Sequence, residues 1–341
     1  MTAIRKSKSQ KAKIKKSGLA TFLKIPSLFA FCLLTFSSSV HAISSNAGTS
    51  NGDFLKIPTD ARGVALGPSI VSMAEGEEGM RWNPAALGRT DSQELDATHI
   101  LYYQDVSVEN VGYAYPLEDG AIAVNAFYLS PGSLDGRDLF GNPTGNFNFY
   151  DLVGAIGYGR RLMSSDDGTA VYVGGELKIV QEQIDNSQYQ NPAADLGLLV
   201  IPFENLRAGL AARNLSTGGA NFPKELTGGA SYTLFHVLTG AFSLRYADDA
   251  PWRFNVGGEY KFPELDNAVL RAGYQTHDPL DDSVDSGIPA FHSASMAGLT
   301  LGAGMEYRPP MFKTLRLQLD YAMAPFGALG ISHTITVKVK W

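Results

Sequence analysis

Apolar and polar residues alternate strictly along much of the second half of the chain. The final segment, 331–341, reads Ile-Ser-His-Thr-Ile-Thr-Val-Lys-Val-Lys-Trp, so every second residue is apolar or aromatic apart from one histidine. The same period of two recurs in 252–262, 299–308 and 315–321. A repeat of two places successive side chains on opposite faces of a β-strand, whereas a helix would repeat every 3.6 residues. The pattern predicts strands with one apolar and one polar or charged face.

Extending this interpretation from residue 94 onward predicts about fourteen strands, most of them near the ten residues that a tilted strand needs to cross a bilayer. The predicted strands are 94–103, 107–116, 120–129, 148–161, 169–182, 194–201, 204–213, 225–235, 238–247, 252–262, 267–275, 297–308, 314–323 and 331–341.

The lengths of the connections alternate as well. Short, turn-rich connections follow the even-numbered strands, as at Pro116–Asp119 and Pro309–Lys313. The long ones, which follow the odd-numbered strands, are Ser130–Phe147, Ile184–Pro192, Asn214–Lys224, Thr276–Met296 and Ala324–Gly330. Outer-membrane barrels have short periplasmic turns and long outer loops. The fold class predicted is therefore all-β, a transmembrane antiparallel β-barrel, with the long loops outside.

A soluble periplasmic β-sandwich is the alternative, since its strands would also alternate. The barrel is favoured because aromatic residues recur near strand ends, as an aromatic girdle at the membrane interfaces requires. The candidates are Tyr102, Tyr115, Tyr158, Tyr232, Trp252, Phe262, Tyr274, Tyr307 and Trp341. The terminal Trp341, at the end of an alternating strand, resembles the C-terminal signal by which outer-membrane barrels are recognised for assembly.

The N-terminal residues predict export. Residues 1–24 carry eight Lys and Arg and no acid, an apolar run follows over Ile25–Phe36, and Val40-His41-Ala42 provides a cleavage site. This order is that of a secretory signal peptide, here 1–42, and the apolar run is too short for a spanning helix. Removing eight bases from 28 Lys+Arg leaves 20 against 34 Asp+Glu, an acidic balance that argues against nucleic acid as a partner. Cys32, the single cysteine, would leave with the signal, so no disulfide framework is expected.

Residues 43–93 do not alternate and precede the barrel, 94–341, so we expect them to fold into the lumen as a hatch or plug. Three stretches here resemble the opening of the PorV/PorQ family of FadL-like outer-membrane barrels. They are Ala47-Gly48-Thr49 with Asp53–Ile57, Ala61-Arg62 with Ala65-Leu66-Gly67, and Trp82–Leu87. The tail Asp320–Gly330 with His333 is similar to the ending of that family. The resemblance implies that Asn83, Pro84 and Ala85 form the motif of an N-terminal hatch.

Two functions follow from this resemblance. The PorV-like one is a scaffold or shuttle in protein secretion of the type IX kind, with secretion-system proteins or secreted cargo as partners at the outer loops. The FadL-like alternative is a channel for uptake of hydrophobic small molecules such as fatty acids. In both, outer-membrane lipid surrounds the barrel, and charged residues line a polar lumen. They are Arg253, Glu259, Lys261, Glu306, Arg308, Arg316, Asp320, Lys338 and Lys340.

Catalytic and metal chemistry find little support. The histidines are scattered and show no zinc spacing, and His99 and His333 are expected to serve packing rather than catalysis. Asp278, Asp281, Asp282 and Asp285 lack the regular spacing of a calcium loop, so a solvated loop is favoured. We therefore expect no enzyme activity, no metal and no cofactor.

Overall fold

The fold is taken from a computed structural model. It describes residues 49–102, 106–166, 168–216, 221–263, 265, 267–276, 298–312, 314–326 and 330–341. The predicted signal peptide and the acidic run between Asp278 and Asp285 lie outside the described residues.

Fifteen strands are present in the described part of the chain. They are β1 Glu94–Leu101, β2 Ser107–Leu117, β3 Gly120–Ser130, β4 Ser133–Arg137, β5 Pro143–Ser164, β6 Ala170–Ile184, β7 Ser187–Phe203, β8 Leu206–Ser216, β9 Glu225–Leu234, β10 Leu238–Ala247, β11 Ala250–Lys261, β12 Ala268–Gln275, β13 Leu299–Tyr307, β14 Arg316–Pro325 and β15 Ile331–Lys340.

Fourteen of these strands form one closed antiparallel barrel. Each strand pairs with its neighbour in sequence, except that β3 pairs with β5 and the short β4 pairs only with the start of β5. The circle closes where β1 pairs with β15, with Leu95 opposite Val339. The predicted fold class, a fourteen-stranded antiparallel barrel, is confirmed.

The apolar set of each strand faces outward. On β15, Ile335 and Val337 are 42% and 45% exposed, whereas Thr334, Thr336 and Lys338 are buried. Each barrel strand carries at least one exposed large apolar side chain. In a soluble protein such side chains are mostly buried in the core. Such a surface requires a hydrocarbon environment, as in an outer-membrane barrel.

Two connections predicted as loops are wrong, because they contain strand. The segment Ser130–Phe147 forms a hairpin of β4 and the start of β5, and Ile184–Pro192 is strand apart from a two-residue turn at Asp185 and Asn186. Asp185 has a φ of 51°, the left-handed conformation that tight hairpin turns use. These extensions of β5, β6 and β7 carry polar residues on both faces, so no apolar alternation marks them in the sequence.

Residues 53–89 fold inside the barrel as short helical pieces, which we call the plug. Helix α1 spans Ala61–Ala65 and α2 spans Gly79–Trp82. Four short 3₁₀ segments complete it, at Asp53–Lys56, Ile70–Ser72, Gly76–Glu78 and Pro84–Arg89.

The plug contacts strands around the whole circumference. Helix α1 packs against β12 to β15, Ile70–Ser72 against β8 to β10, Gly76–Glu78 against β1 and β2, and Pro84–Arg89 against β3 and β5 to β7. Its apolar residues, among them Leu66, Ile70 and Leu87, are fully buried. The plug therefore crosses the lumen and is held by the inner wall. No helix in the described ranges is long and apolar enough to cross a membrane.

Candidate functional site: the plug and the vestibule

Asn83 anchors the plug to the barrel wall. Its backbone is extended, with φ −164°, and its Oδ1 accepts from the backbone N–H of Ala85, 3.1 Å away, which caps the segment Pro84–Arg89. Its Nδ2 donates to the carbonyl oxygens of Val71 and Leu198, both at 3.0 Å. Pro84 takes the first helical position, where its missing N–H costs nothing. One side chain thus joins two parts of the plug to β7.

Glycines on the inner wall allow the plug to approach the strands. A Cβ at Gly174 of β6 would lie 2.2 Å from the carbonyl oxygen of Pro84, and one at Gly197 of β7 would lie 2.1 Å from Asn83 Oδ1. No side chain fits in these gaps, so close backbone approach requires glycine here. The Asn83–Ala85 segment therefore packs directly on bare strand.

Asp60 organises the middle of the plug. Its Oδ1 accepts from the backbone N–H of Gly63 at 2.6 Å and caps α1, and its Oδ2 accepts from Trp82 Nε1. Burial, with the nearby charge of Glu78, raises the pKa of Asp60 to about 6. Burial likewise raises the pKa of Glu77, although Asn125 donates to it at 2.6 Å.

A chain of buried ion pairs joins the plug to the strands on one side. Arg62 lies 2.6 Å from Glu78 and 3.0 Å from Glu259 of β11. Glu259 in turn meets Arg271 of β12 at 2.8 Å, and Arg271 meets Asp320 of β14 at 2.6 Å. Every carboxylate in the chain has a guanidinium partner, so the buried charges are compensated.

A second cluster of charges lies where the first and last strands meet. Lys338 of β15 contacts Glu94 at 2.9 Å and Asp96 at 3.1 Å, both on β1, and Glu78 of the plug at 3.7 Å. Lys340 contacts Glu94 at 2.8 Å. The closing seam and the plug therefore share one cation.

The remaining charged residues predicted for the lumen line cavities at its two ends. Lys261, Glu306, Arg308 and Arg316 border a cavity of about 310 Å³ at the end with the short turns, together with residues of the ionic chain. Arg253 lies at the other end. Sequence reasoning missed Arg271, which pairs with Glu259 and Asp320, and it also missed Glu94 and Asp96, which pair with Lys338. Each occupies a polar position in an alternating segment.

Above the plug, at the end with the long connections, the barrel contains a cavity of about 820 Å³, which we call the vestibule. Ile100, Leu129 and Phe149 of the wall and Phe54 of the plug give it an apolar side. Segment Asp53–Ile57 forms part of its floor, since Phe54 and Ile57 also border a smaller cavity of about 50 Å³ next to Met80 and Phe127.

A pair of arginines gives the vestibule a polar side. Arg245 and Arg253 stand directly opposite each other on β10 and β11. With its amide carbonyl turned toward them, Gln275 accepts from both guanidinium groups at 3.1 and 2.9 Å. Arg245 also lies 3.3 Å from Glu225. Like charges on neighbouring strands are thus bridged by acceptors.

The histidines described on strands lie on the outer surface. His99 contacts Glu109 at 2.6 Å, and His333 accepts from or donates to the Tyr321 hydroxyl at 2.7 Å while stacking on its ring. In the described part of the chain, no group of three or more metal-ligating side chains converges. Trp341 stacks on Tyr113, with ring centroids 6.1 Å apart, and its backbone pairs with Gln93 beside the seam.

Comparisons with known proteins bear on the fold. No protein-family model matches the sequence, and a search of curated proteins finds no significant match. Among solved structures, the toluene transporter TodX of P. putida aligns over 82% of this chain and 96% of its own, with 13% identity and a TM-score of 0.50. The toluene transporter TbuX of Ralstonia pickettii aligns over 82% and 97%, with 13% identity and a TM-score of 0.48. A Pseudomonas aeruginosa FadL homologue aligns over 84% and 98%, with 12% identity and a TM-score of 0.47.

The chain therefore has the fold of an outer-membrane β-barrel. The likeness to TodX is a likeness of fold. The narrower resemblance to the PorV/PorQ family stays a prediction from the sequence motifs.

Proposed function

We propose that this protein is an outer-membrane channel for the uptake of hydrophobic small molecules. The observation that carries the proposal is the vestibule, whose 820 Å³ falls within the usual range of ligand sites, about 300 to 1,000 Å³. It lies at the end with the long connections, and one side is apolar. The alignment with TodX, a toluene transporter, also supports the proposal of a channel for hydrophobic small molecules.

The path that we propose runs from the vestibule past the plug. An apolar molecule enters between the long connections and rests against Leu129, Phe149 and Phe54. Movement of Asp53–Ile57 joins the vestibule to the smaller cavity beside Phe127, and loosening of the Asn83–Ala85 segment opens the way along β5 to β7. The plug excludes bulk water until the ligand moves it, so the barrel does not act as an open pore.

The export interpretation rests on the terminal sequence motifs alone. A secretion scaffold requires docking surfaces for proteins at the outer loops but has no need of an apolar chamber inside the barrel. The vestibule therefore favours uptake over secretion.

The proposal is tested by filling the vestibule. Ser332 of β15 lines it and is 3% exposed, whereas Ile335 on the same strand faces lipid. In a Gram-negative host lacking other FadL-type channels, wild type should raise the initial uptake rate of radiolabelled toluene and decanol. Ser332→Trp should return that rate to the vector-only level, and the matched control Ile335→Trp should leave it at the wild-type value. Uptake unaffected by Ser332→Trp, or absent with wild type, overturns the proposal.

A further inference from the structure

Two carboxylates face each other on the wall of the vestibule. Asp151 of β5 and Glu182 of β6 are direct partners in the antiparallel register, and both border the 820 Å³ cavity. The Asp151 side chain is only 4% exposed. Directly opposed side chains have Cβ atoms about 5 Å apart, so like charges there repel one another.

The pair lacks a cationic partner in the described structure. Glu182 accepts one hydrogen bond, from the backbone N–H of Gly52. Among the described residues, no hydrogen bond or ion pair reaches the carboxylate of Asp151. Both carboxylates face the cavity, so a group inside it that donates hydrogen bonds or carries positive charge would complement them.

The cations of the vestibule are engaged elsewhere. Arg245 and Arg253 are bridged by Gln275, and Lys56 contacts Asp249 at 2.6 Å and Asp53 at 3.0 Å. The arginine pair thus has an acceptor that bridges its two members, whereas no donor among the described residues bridges the two carboxylates. The difference points to an occupant at Asp151 and Glu182 that the described residues do not supply.

Apolar side chains border the pair on one side, and the carboxylate of Asp53 lies near Glu182 on the other. Asp151 also pairs with Leu129 of β3, on the side of β5 away from β6. Two residues further along the same face, Phe149 of β5 pairs with Ile184 of β6. Phe54 of the plug lines the same cavity. An occupant that satisfies both features carries a compact donor group at one end and an apolar body at the other.

We propose that the preferred ligand of the vestibule is a cationic amphiphile, an organic amine whose ammonium group binds between Asp151 and Glu182. This inference rests on the proposed uptake function and names its substrate class. An ammonium group has three donors and a positive charge, so it can bond both carboxylates at once. A bare divalent cation fits less well. Calcium takes six to eight oxygen ligands, whereas the pair supplies only the oxygens of two carboxylates.

The test compares decylamine, decanol and decanoate, which share one chain and differ in the head group. Each is titrated calorimetrically into the full protein in nanodiscs of uncharged lipid, with empty nanodiscs as the background. We expect wild type to bind decylamine about tenfold more tightly than decanol, because hydrogen bonds between charged groups are stronger than those of a neutral hydroxyl. Asp151→Asn/Glu182→Gln should reduce the preference to less than twofold while decanol binding is retained.

Glu109→Gln is the matched control, because Glu109 lies on the outer surface against His99. It should keep the full preference for decylamine. Equal affinity for all three probes, or a preference that survives Asp151→Asn/Glu182→Gln, overturns the inference but leaves the uptake proposal standing. Saturable calcium binding that this double variant alone abolishes, without any amine preference, also overturns it. Absence of binding for every probe counts against the uptake proposal itself.

Discussion

Lys338 reaches across the seam of the barrel to Glu94, with Nζ and Oε1 2.9 Å apart. The same ammonium group contacts Asp96 and, on the plug, Glu78. One side chain therefore joins the first strand, the last strand and the plug.

Replacing that cation should destabilise the barrel. Lys338→Met leaves three buried carboxylates around an apolar side chain, and removing one partner of a buried ion pair typically costs about 3 to 5 kcal/mol. We expect a lower midpoint in heat-modifiable gel mobility, whereas Lys261→Met, at an exposed lysine of the same lumen, should change it little. Equal midpoints for the two variants would show that the seam does not depend on Lys338.

The stability of the plug should depend on pH. Because the folded-state pKa of Asp60 is raised to about 6, and that of Glu77 is also raised, the folded protein holds these protons more tightly than the unfolded chain. The resulting stability is fully present below pH 4 and is lost as pH rises through about 6. Hydrogen exchange of Ala61–Trp82 should be faster at pH 8 than at pH 5 after correction for the intrinsic rate. Glu77→Gln should reduce that difference, and a difference unchanged by the substitution would contradict the assignment.

A methyl group on the inner wall should dislodge the Asn83–Ala85 segment. Gly174→Ala places a Cβ against the Pro84 carbonyl, and overpacking of this kind costs about 1 to 3 kcal/mol. Gly154→Ala is the matched control, since a Cβ there meets nothing within 4 Å. Hydrogen exchange of residues 85–89 should accelerate only in Gly174→Ala. The same protection in both variants would refute direct packing of the plug on β6.

The two donations from Asn83 should keep the lumen closed. Asn83→Asp retains an acceptor for the Ala85 N–H but leaves the carbonyls of Val71 and Leu198 without their donor. Each buried acceptor left unsatisfied costs about 1 to 3 kcal/mol. Conductance in planar bilayers should rise above that of wild type, with Asn186→Asp, in an exposed hairpin turn, as the control. Conductance equal to that of wild type would mean that this anchor does not close the lumen.

The barrel can be predicted from the sequence because the outer face of each spanning strand must be apolar over the thickness of a membrane. Every second residue of such a strand is therefore apolar. The extensions of β5, β6 and β7 do not follow this pattern, because polar residues such as Gln183 and Gln188 occupy both faces of these segments. The inward position of Glu259 follows from the same alternation. The contact of Glu259 with Arg62 cannot be predicted in this way, because the plug has no periodic pattern that indicates which of its side chains contacts which strand.

The carboxylate pair of the vestibule shows a second limit. Asp151 and Glu182 are 31 positions apart, and only the register of β5 on β6 makes them neighbours. Alternation predicts whether each side chain points into or out of the barrel, but it does not predict the register between neighbouring strands. The vestibule and its chemistry therefore required the structure.

The central claim, that apolar molecules pass the plug inside the barrel, is tested most directly by fixing the floor of the vestibule. Lys56 of the plug lies 2.6 Å from Asp249, in the turn between β10 and β11. Lys56→Cys/Asp249→Cys, in a Cys32→Ser background, can be joined by a reducible bis-maleimide linker on cells that take up radiolabelled decanol. We predict that the linked protein transports at the vector-only rate and that reduction restores the uptake of the unlinked variant. Uptake by the linked protein at the unlinked rate would contradict passage through a moving plug.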